Sequence, residues 1–159
     1  ASERTFQLMR QVAGRAGRAE KAGVAMLQTY QPEHPVIHAI LHGDEVGYWN
    51  AEAEGRRAAG VPPFGRLAAI IISATDATIS HDLGMFLAQH DAPLRRVGAQ
   101  VFGPAPAPIA RIRGRFRTRL LVKGDKNTAL QSALSEWVAQ VQLKGDTRLA
   151  IDIDPYSFL

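Results

Sequence analysis

Residues 109–123 read IARIRGRFRTRLLVK. Polar and apolar side chains alternate on either side of Gly114, the pattern of a β-hairpin that turns near that glycine. Arg111, Arg113, Arg115, Arg117 and Arg119 recur at every second position. A period of two puts them on one face of a strand, and with a turn at Gly114 the two arms still present neighbouring arginines. Upstream, Val101-Phe102 starts an extended piece that leads into a proline-spaced loop, GPAPAP at 103–108. Further upstream, LAAIIIS at 67–73 is a continuous apolar run, as expected for a central strand. Between these, Ile79, Leu83, Phe86 and Leu87 have the spacing of one helix face within residues 76–90. On the other side of the hairpin, Leu130, Leu134, Trp137, Val138 and Val141 define a second helix over 128–142, with Thr128 and Gln131 spaced for a capping box. Leu149, Ile151 and Ile153 alternate with Arg148, Ala150 and Asp152, a strand with one buried side that Pro155 stops. From residue 66 the order is therefore β-α-β-β-α-β. The expected fold is α+β: a four-stranded, mostly antiparallel sheet with two helices on one face, the split βαβ arrangement.

The N-terminal part reads differently. Val24–Tyr30 (VAMLQTY) has the composition of a short buried strand, ended by Gln31-Pro32. Val36–Leu41 suits a short helix opened by Pro35 and broken by Gly43. Asp44 is placed to cap a second helix running to about Ala59, with Gly60 at its C′ position and Pro62-Pro63 forbidding continuation. Trp49 and Tyr48 fall in that helix and suit an exposed aromatic surface. Three segments follow: 1–45, 46–65 as a connecting helix and proline-rich turn, and 66–159 as the C-terminal domain.

Charge is concentrated. The chain carries a net +4, but Arg95–Lys126 holds nine basic residues against Asp125 alone, so this segment is +8 and the remainder −4. A basic block on a slightly acidic body points to a polyanion partner, with nucleic acid the first candidate. The arginine row also suits a charged sheet edge that resists aggregation, although lysine is the commoner choice there. Phe102 and Phe116 are each placed either to stack on an unpaired base or to join the core. With no cysteine, neither disulfides nor thiolate metal sites can form. His34, His38 and His42 recur every fourth residue, but Pro35 argues against one helix through all three, and surface histidines rather than a metal site are expected. Asp152 and Asp154 suit the solvent side of the last strand, paired with hairpin arginines. No apolar run reaches the roughly 18 residues of a membrane helix. The start, ASERTFQLMR, has no signal-peptide core and reads as a piece cut from a longer protein.

The most specific string is QVAGRAGR at 11–18. Arg15 and Arg18 lie three apart, on one side of a helical turn. Gly14 and Gly17 let another surface come close. Two guanidinium forks beside a tight backbone suit a phosphate chain, whereas a solvated arginine-rich helix accounts for the same spacing without a ligand.

As a string, Gln11–Arg18 resembles motif VI of superfamily 2 helicases. ERTFQLMRQVAGRAGRAEKAGVAMLQTYQPEHPVI, PPFGRLAAIIIS (62–73), GPAPAPIARIRGRFRTRLLVK (103–123) and IDIDP (151–155) are together similar to the C-terminal end of the PriA family of replication-restart DNA helicases, the family of primosomal protein N′. That resemblance implies an arginine-finger role for Arg18 toward the ATP γ-phosphate, a phosphate contact for Arg15 and a supporting polar contact for Gln11. It implies that residues 1–45 are the end of the second helicase lobe and that residues 66–159 form a domain similar to a small-subunit ribosomal protein. Branched or single-stranded DNA would bind on Arg111, Arg113, Arg115, Arg117 and Arg119. Lys123 and Lys126 would attract the acidic tail of single-stranded-DNA-binding protein, one of several primosome partners in the cytoplasm. ATP, Mg and zinc belong to the whole enzyme in that family. This chain has no GxxxxGK[ST] loop, no DExH box and no cysteine module, so it is expected to bind without hydrolysing ATP. The competing readings are a stand-alone nucleic-acid-binding module and a protein-interaction module.

Overall fold

The computed structural model describes residues 2–16 and 23–155, which divide into two units, Ala1–Gly55 and Arg56–Leu159. The first unit holds α1 (Ser2–Ala13), α2 (Pro35–His42) and most of α3 (Glu45–Ala59). Proline opens α2, His34 Nδ1 accepts the Val36 N–H at 3.2 Å as its cap, and Gly43 closes it at φ 65°. Asp44 caps α3 by accepting the Gly47 N–H at 2.9 Å, and Gly60 at φ 57° follows its end, as the sequence leads one to expect.

Two expectations fail in this unit. Tyr48 and Trp49 are not an exposed aromatic surface: Phe6 is buried and stacks on Tyr48 at 4.1 Å between centroids, with Trp49 edge-on at 5.5 Å. Phe6 on one turn of α1 thus fills the space beside the first turn of α3. Val24–Tyr30 is not a buried strand: it lies in no helix or strand, with Val24 81% and Met26 95% exposed. A strand needs a neighbour to take up its backbone groups, and the described residues of this unit supply none.

The second unit is built on β1 (Gly65–Ala74), β2 (Gln100–Ile112), β3 (Arg115–Asp125) and β4 (Arg148–Ile153). Their order is β2-β3-β1-β4 and every pairing is antiparallel. β3 lies between β1 and β2, and β1 between β3 and β4, the split βαβ topology anticipated from the element order. α4 (Ala77–Gln89), the short α5 (Ala92–Arg96) and α6 (Leu130–Val138) cover one face. The core under them joins Ile70 and Ile72 of β1 and Leu120 and Val122 of β3 to Leu87, Leu94, Leu130, Leu134 and Trp137. Trp137 is fully buried and its indole N–H donates to the Leu87 carbonyl at 2.9 Å, so the largest core side chain leaves no polar group unpaired.

Several local details depart from the expected pattern. α4 buries Ser80, Gly84 and Leu87, while Ile79 and Phe86 are partly exposed. The small residues let the helix settle close to the sheet, where the Ser80 and Thr118 hydroxyls meet at 3.1 Å. α6 starts at Leu130 with no side-chain cap; Thr128 instead packs over Gly124, so the capping box does not form. The GPAPAP segment is not a loop. It runs inside β2, with register breaks between Phe102 and Ala105 and between Pro106 and Arg111. An edge strand with bulges tolerates prolines that a central strand cannot.

Candidate nucleic-acid interface

Within the second unit, α4, α5 and α6 all lie on one side of the sheet; on the other side Leu67 and Ala69 are buried, and register decides what else occupies it. Along β3, Thr118, Leu120 and Val122 are buried under the helices, so Arg115, Arg117, Arg119, Leu121 and Lys123 point to the open side. Cross-strand partners share that side: Phe102 opposite Leu121, Ala69 opposite Leu121, Ile71 opposite Arg119, and Ser73 opposite Arg117. On β4 the same rows continue with Asp152 opposite Ala69, Ala150 opposite Ile71 and Arg148 opposite Ser73.

The five hairpin arginines therefore do not form one row. The chain turns at Arg113 and Gly114, both at positive φ (48° and 78°), and two turn residues invert the parity between the arms. Ile112 is thus opposite Arg115, and Arg111 is opposite Phe116 on the other side of the sheet. There the Arg111 guanidinium lies over the half-buried Phe116 ring at 4.9 Å. Arg113 is exposed at the tip. Arg117 donates to the Ile109 carbonyl at 3.3 Å, which draws it against the hairpin's other arm.

Arg115 is committed to the fold. It donates to Asp146 Oδ2 at 2.9 Å and to the Ser73 carbonyl at 2.8 Å, and also to the Asp146 carbonyl. Burial raises the Asp146 pKa, but the hydrogen bonds from Thr75 and the neighbouring Arg115 charge outweigh it and hold the carboxyl below its ordinary value. Asp154 pairs with Arg66 at 2.8 Å and accepts the Leu67 N–H, rather than meeting the hairpin. Lys123 runs beside Gly60, and Lys126 is exposed in the turn after β3.

The open face gathers Arg117, Arg119 and Lys123 with one cation absent from the sequence expectations, Arg148, which is exposed on β4. Its alternation with Leu149, Ile151 and Ile153 was the available signal; only the strand order reveals that it lies in the Arg117 row. Of the two candidate phenylalanines, Phe102 is the exposed one, at 47%.

In the first unit, Gln11 lies exposed in the last turn of α1 and Arg15 in the turn after it, its N–H donating to the Val12 carbonyl. Arg18, the other member of the expected pair, lies outside the described residues. His38 pairs with Glu33 at 2.9 Å and its ring stacks on His42. Among the described residues no group of three or more His, Asp or Glu side chains is arranged to hold a metal ion, and no helix is long and apolar enough to cross a membrane.

A split βαβ domain with a helix-free, arginine-bearing sheet face within its own unit is what these observations define. The chain belongs to the family described as Primosomal protein N C-terminal domain, whose model matches residues 57–156. It is 37% identical over 158 residues to the replication restart protein PriA of Rickettsia typhi, covering 99% of this chain and 24% of that protein. It is 35% identical to the PriA of Haemophilus influenzae, covering 98% of this chain and 21% of that protein. The figure is 31% for the PriA of Bacillus subtilis, with 99% and 20% covered. The chain thus spans about a quarter or less of the length of these relatives.

Proposed function

We propose that this chain is the nucleic-acid-binding C-terminal part of a replication-restart DNA helicase that works with primosome partners in the cytoplasm. The observation that carries this reading is the arginine pair of the central strand, Arg117 and Arg119, held on the helix-free side of the sheet and joined there by Lys123 and Arg148. Like charges at this density repel, and a polyanion relieves that repulsion. The contacts are with phosphates, so binding is steeply salt-dependent and weakly sequence-specific. Arg113 at the exposed tip and Arg111 on the opposite side extend the positive surface around the hairpin, which suits a branched substrate. Lys123 and the exposed Lys126 offer a docking point for the acidic tail of single-stranded-DNA-binding protein. In the whole enzyme, Gln11, Arg15 and Arg18 would reach the phosphates of ATP bound by parts this chain lacks, Arg18 stabilising charge on the transferred phosphoryl group.

The test is fluorescence anisotropy with labelled forked DNA and matched duplex over a salt series, for the unaltered chain, Arg117→Ala and Arg119→Ala. Expected are an affinity that falls with salt and, for each substitution, a logarithmic salt slope shallower by about one. Absence of binding to either DNA at low salt would overturn the reading and leave the surface to acidic protein partners.

A further inference from the structure

We infer that the exposed part of the helix-free sheet face is a platform for single-stranded nucleic acid, on which Phe102 stacks an unpaired base while cations on β3 and β4 hold the phosphates. This deepens the nucleic-acid reading above and rests on it.

The face is not uniformly charged. Phe102, Leu121 and Ile71, one each on β2, β3 and β1, form an oblique apolar strip that Ala150 continues on β4. Phe102 is 47% exposed although its neighbour Val101 packs on the core, so its ring is offered to the solvent side. Beside the strip, in the next row, Arg117 on β3 and Arg148 on β4 are separated by two strand spacings, about 10 Å, with Ser73 of β1 between them.

Three candidate ligands make different demands on such a surface. A duplex presents phosphates and hides the faces of its bases, so it engages the arginines and leaves the apolar strip wet. An acidic peptide does the same. A single strand brings flat apolar bases and phosphates together and is the one ligand that meets both parts of the face. Base stacking on aromatic side chains and guanidinium planes across a four-stranded sheet is an established mode of single-strand recognition. Of the acids near this face, Asp146 is paired with Arg115, and Asp152 stands opposite Ala69 on the β4 edge, away from Phe102 on the β2 edge. It therefore biases the strand path toward Phe102 and the β3 arginines.

The test needs no variant at its first step. A short oligothymidylate, an abasic oligonucleotide of the same length and a duplex of the same length are titrated against the full chain at one low salt concentration. Stacking predicts that oligothymidylate binds about tenfold more tightly than the abasic strand, which keeps the phosphates and loses the bases. In a second step, Phe102→Leu keeps an apolar side chain without the ring, and its thermal unfolding midpoint verifies the fold. It should weaken oligothymidylate binding about tenfold and leave duplex binding unchanged. Equal binding of the thymidylate and abasic strands would overturn the platform while leaving a phosphate-binding role intact. So would a folded Phe102→Leu chain that binds oligothymidylate as well as the unaltered one. Binding to none of the three probes would overturn the nucleic-acid reading itself, and the platform with it.

Discussion

Arg115 of β3 and Asp146, 31 residues later in the segment leading into β4, are paired at 2.9 Å, with the arginine side chain only 19% exposed. The same guanidinium holds the Ser73 carbonyl near the end of β1, so one side chain ties β3 to β1 and to the turn before β4. Replacing Arg115 with alanine leaves that carbonyl without its charge-assisted partner, at a cost of about 2 kcal/mol. The expected outcome is a thermal unfolding midpoint lowered by several degrees. Arg115→Lys should not restore it, because a single ammonium cannot serve a carboxylate and two carbonyls in a fixed fork. A lysine variant as stable as the unaltered chain would show that charge alone suffices. Loss of nucleic-acid binding in Arg115→Ala is therefore a result of weakened structure, unlike loss in Arg117→Ala.

The Asp146 carboxyl is held below its ordinary pKa, burial being outweighed by Thr75 and Arg115. A carboxylate with a depressed folded-state pKa contributes stability above its unfolded value, about 3.9, and that contribution is lost as pH falls through the folded value. Asp146→Asn should therefore be less stable than the unaltered chain at neutral pH. The gap should narrow as pH drops below about 4. Denaturant midpoints of the two chains across pH check this, and a gap independent of pH would show that the carboxylate charge contributes nothing.

At the hairpin tip Arg113 sits at φ 48° ahead of Gly114 at φ 78°. Positive φ at both central residues is the requirement of a type I′ turn, which Asn-Gly meets better than Arg-Gly. Arg113→Asn should raise stability by roughly 0.5–1 kcal/mol. If the tip reaches a phosphate, the same change makes the logarithmic salt slope of DNA binding shallower by about 0.9. Chemical denaturation and the salt series read the two effects separately. A variant less stable than the unaltered chain would mean that Arg113 makes a contact worth more than the turn preference.

A Cβ added at Gly84 would stand 2.9 Å from Pro104 Cβ and 3.1 Å from Thr118 Cγ2. Alanine improves helix propensity by about 1 kcal/mol, but forcing α4 away from the sheet costs about 1–3 kcal/mol and stretches the Ser80–Thr118 hydrogen bond. Gly84→Ala should thus be destabilising on balance, measured by denaturant unfolding. An unchanged or raised midpoint would show that the helix can back away freely.

The element order was legible because each central piece announces itself locally: Ile70, Ile71 and Ile72 run together, Asp44 precedes its helix, and Gly114 marks a turn. What escaped depends on neighbours distant in sequence. The face that α4 buries keeps Leu87 from the expected pattern but adds Ser80 and Gly84, which no hydrophobic pattern selects. The prolines of β2 look like a loop until the segment is known to be an edge. Val24–Tyr30 has the composition of a strand and no strand beside it. In the candidate site, the concentration of arginines was visible, but their division was not. A two-residue turn sends Arg111 to the side opposite Arg117, and nothing near Arg115 in sequence points to Asp146. Arg148 was hidden for the same reason, since only the pairing of β4 with β1 puts it in the Arg117 row.

The outer rim formed by β2 has one more consequence. Pro104, Pro106 and Pro108 have no amide hydrogen, and the register breaks on either side of Ala105-Pro106 bend the backbone that remains. A passing chain in extended conformation finds no continuous ladder of donors to zip onto there. The opposite rim, β4, is six residues long, a short template at most. The sheet is thereby protected against growing by recruitment of copies of itself, so an apolar, ring-bearing surface can stay open to water without becoming a seed for aggregation.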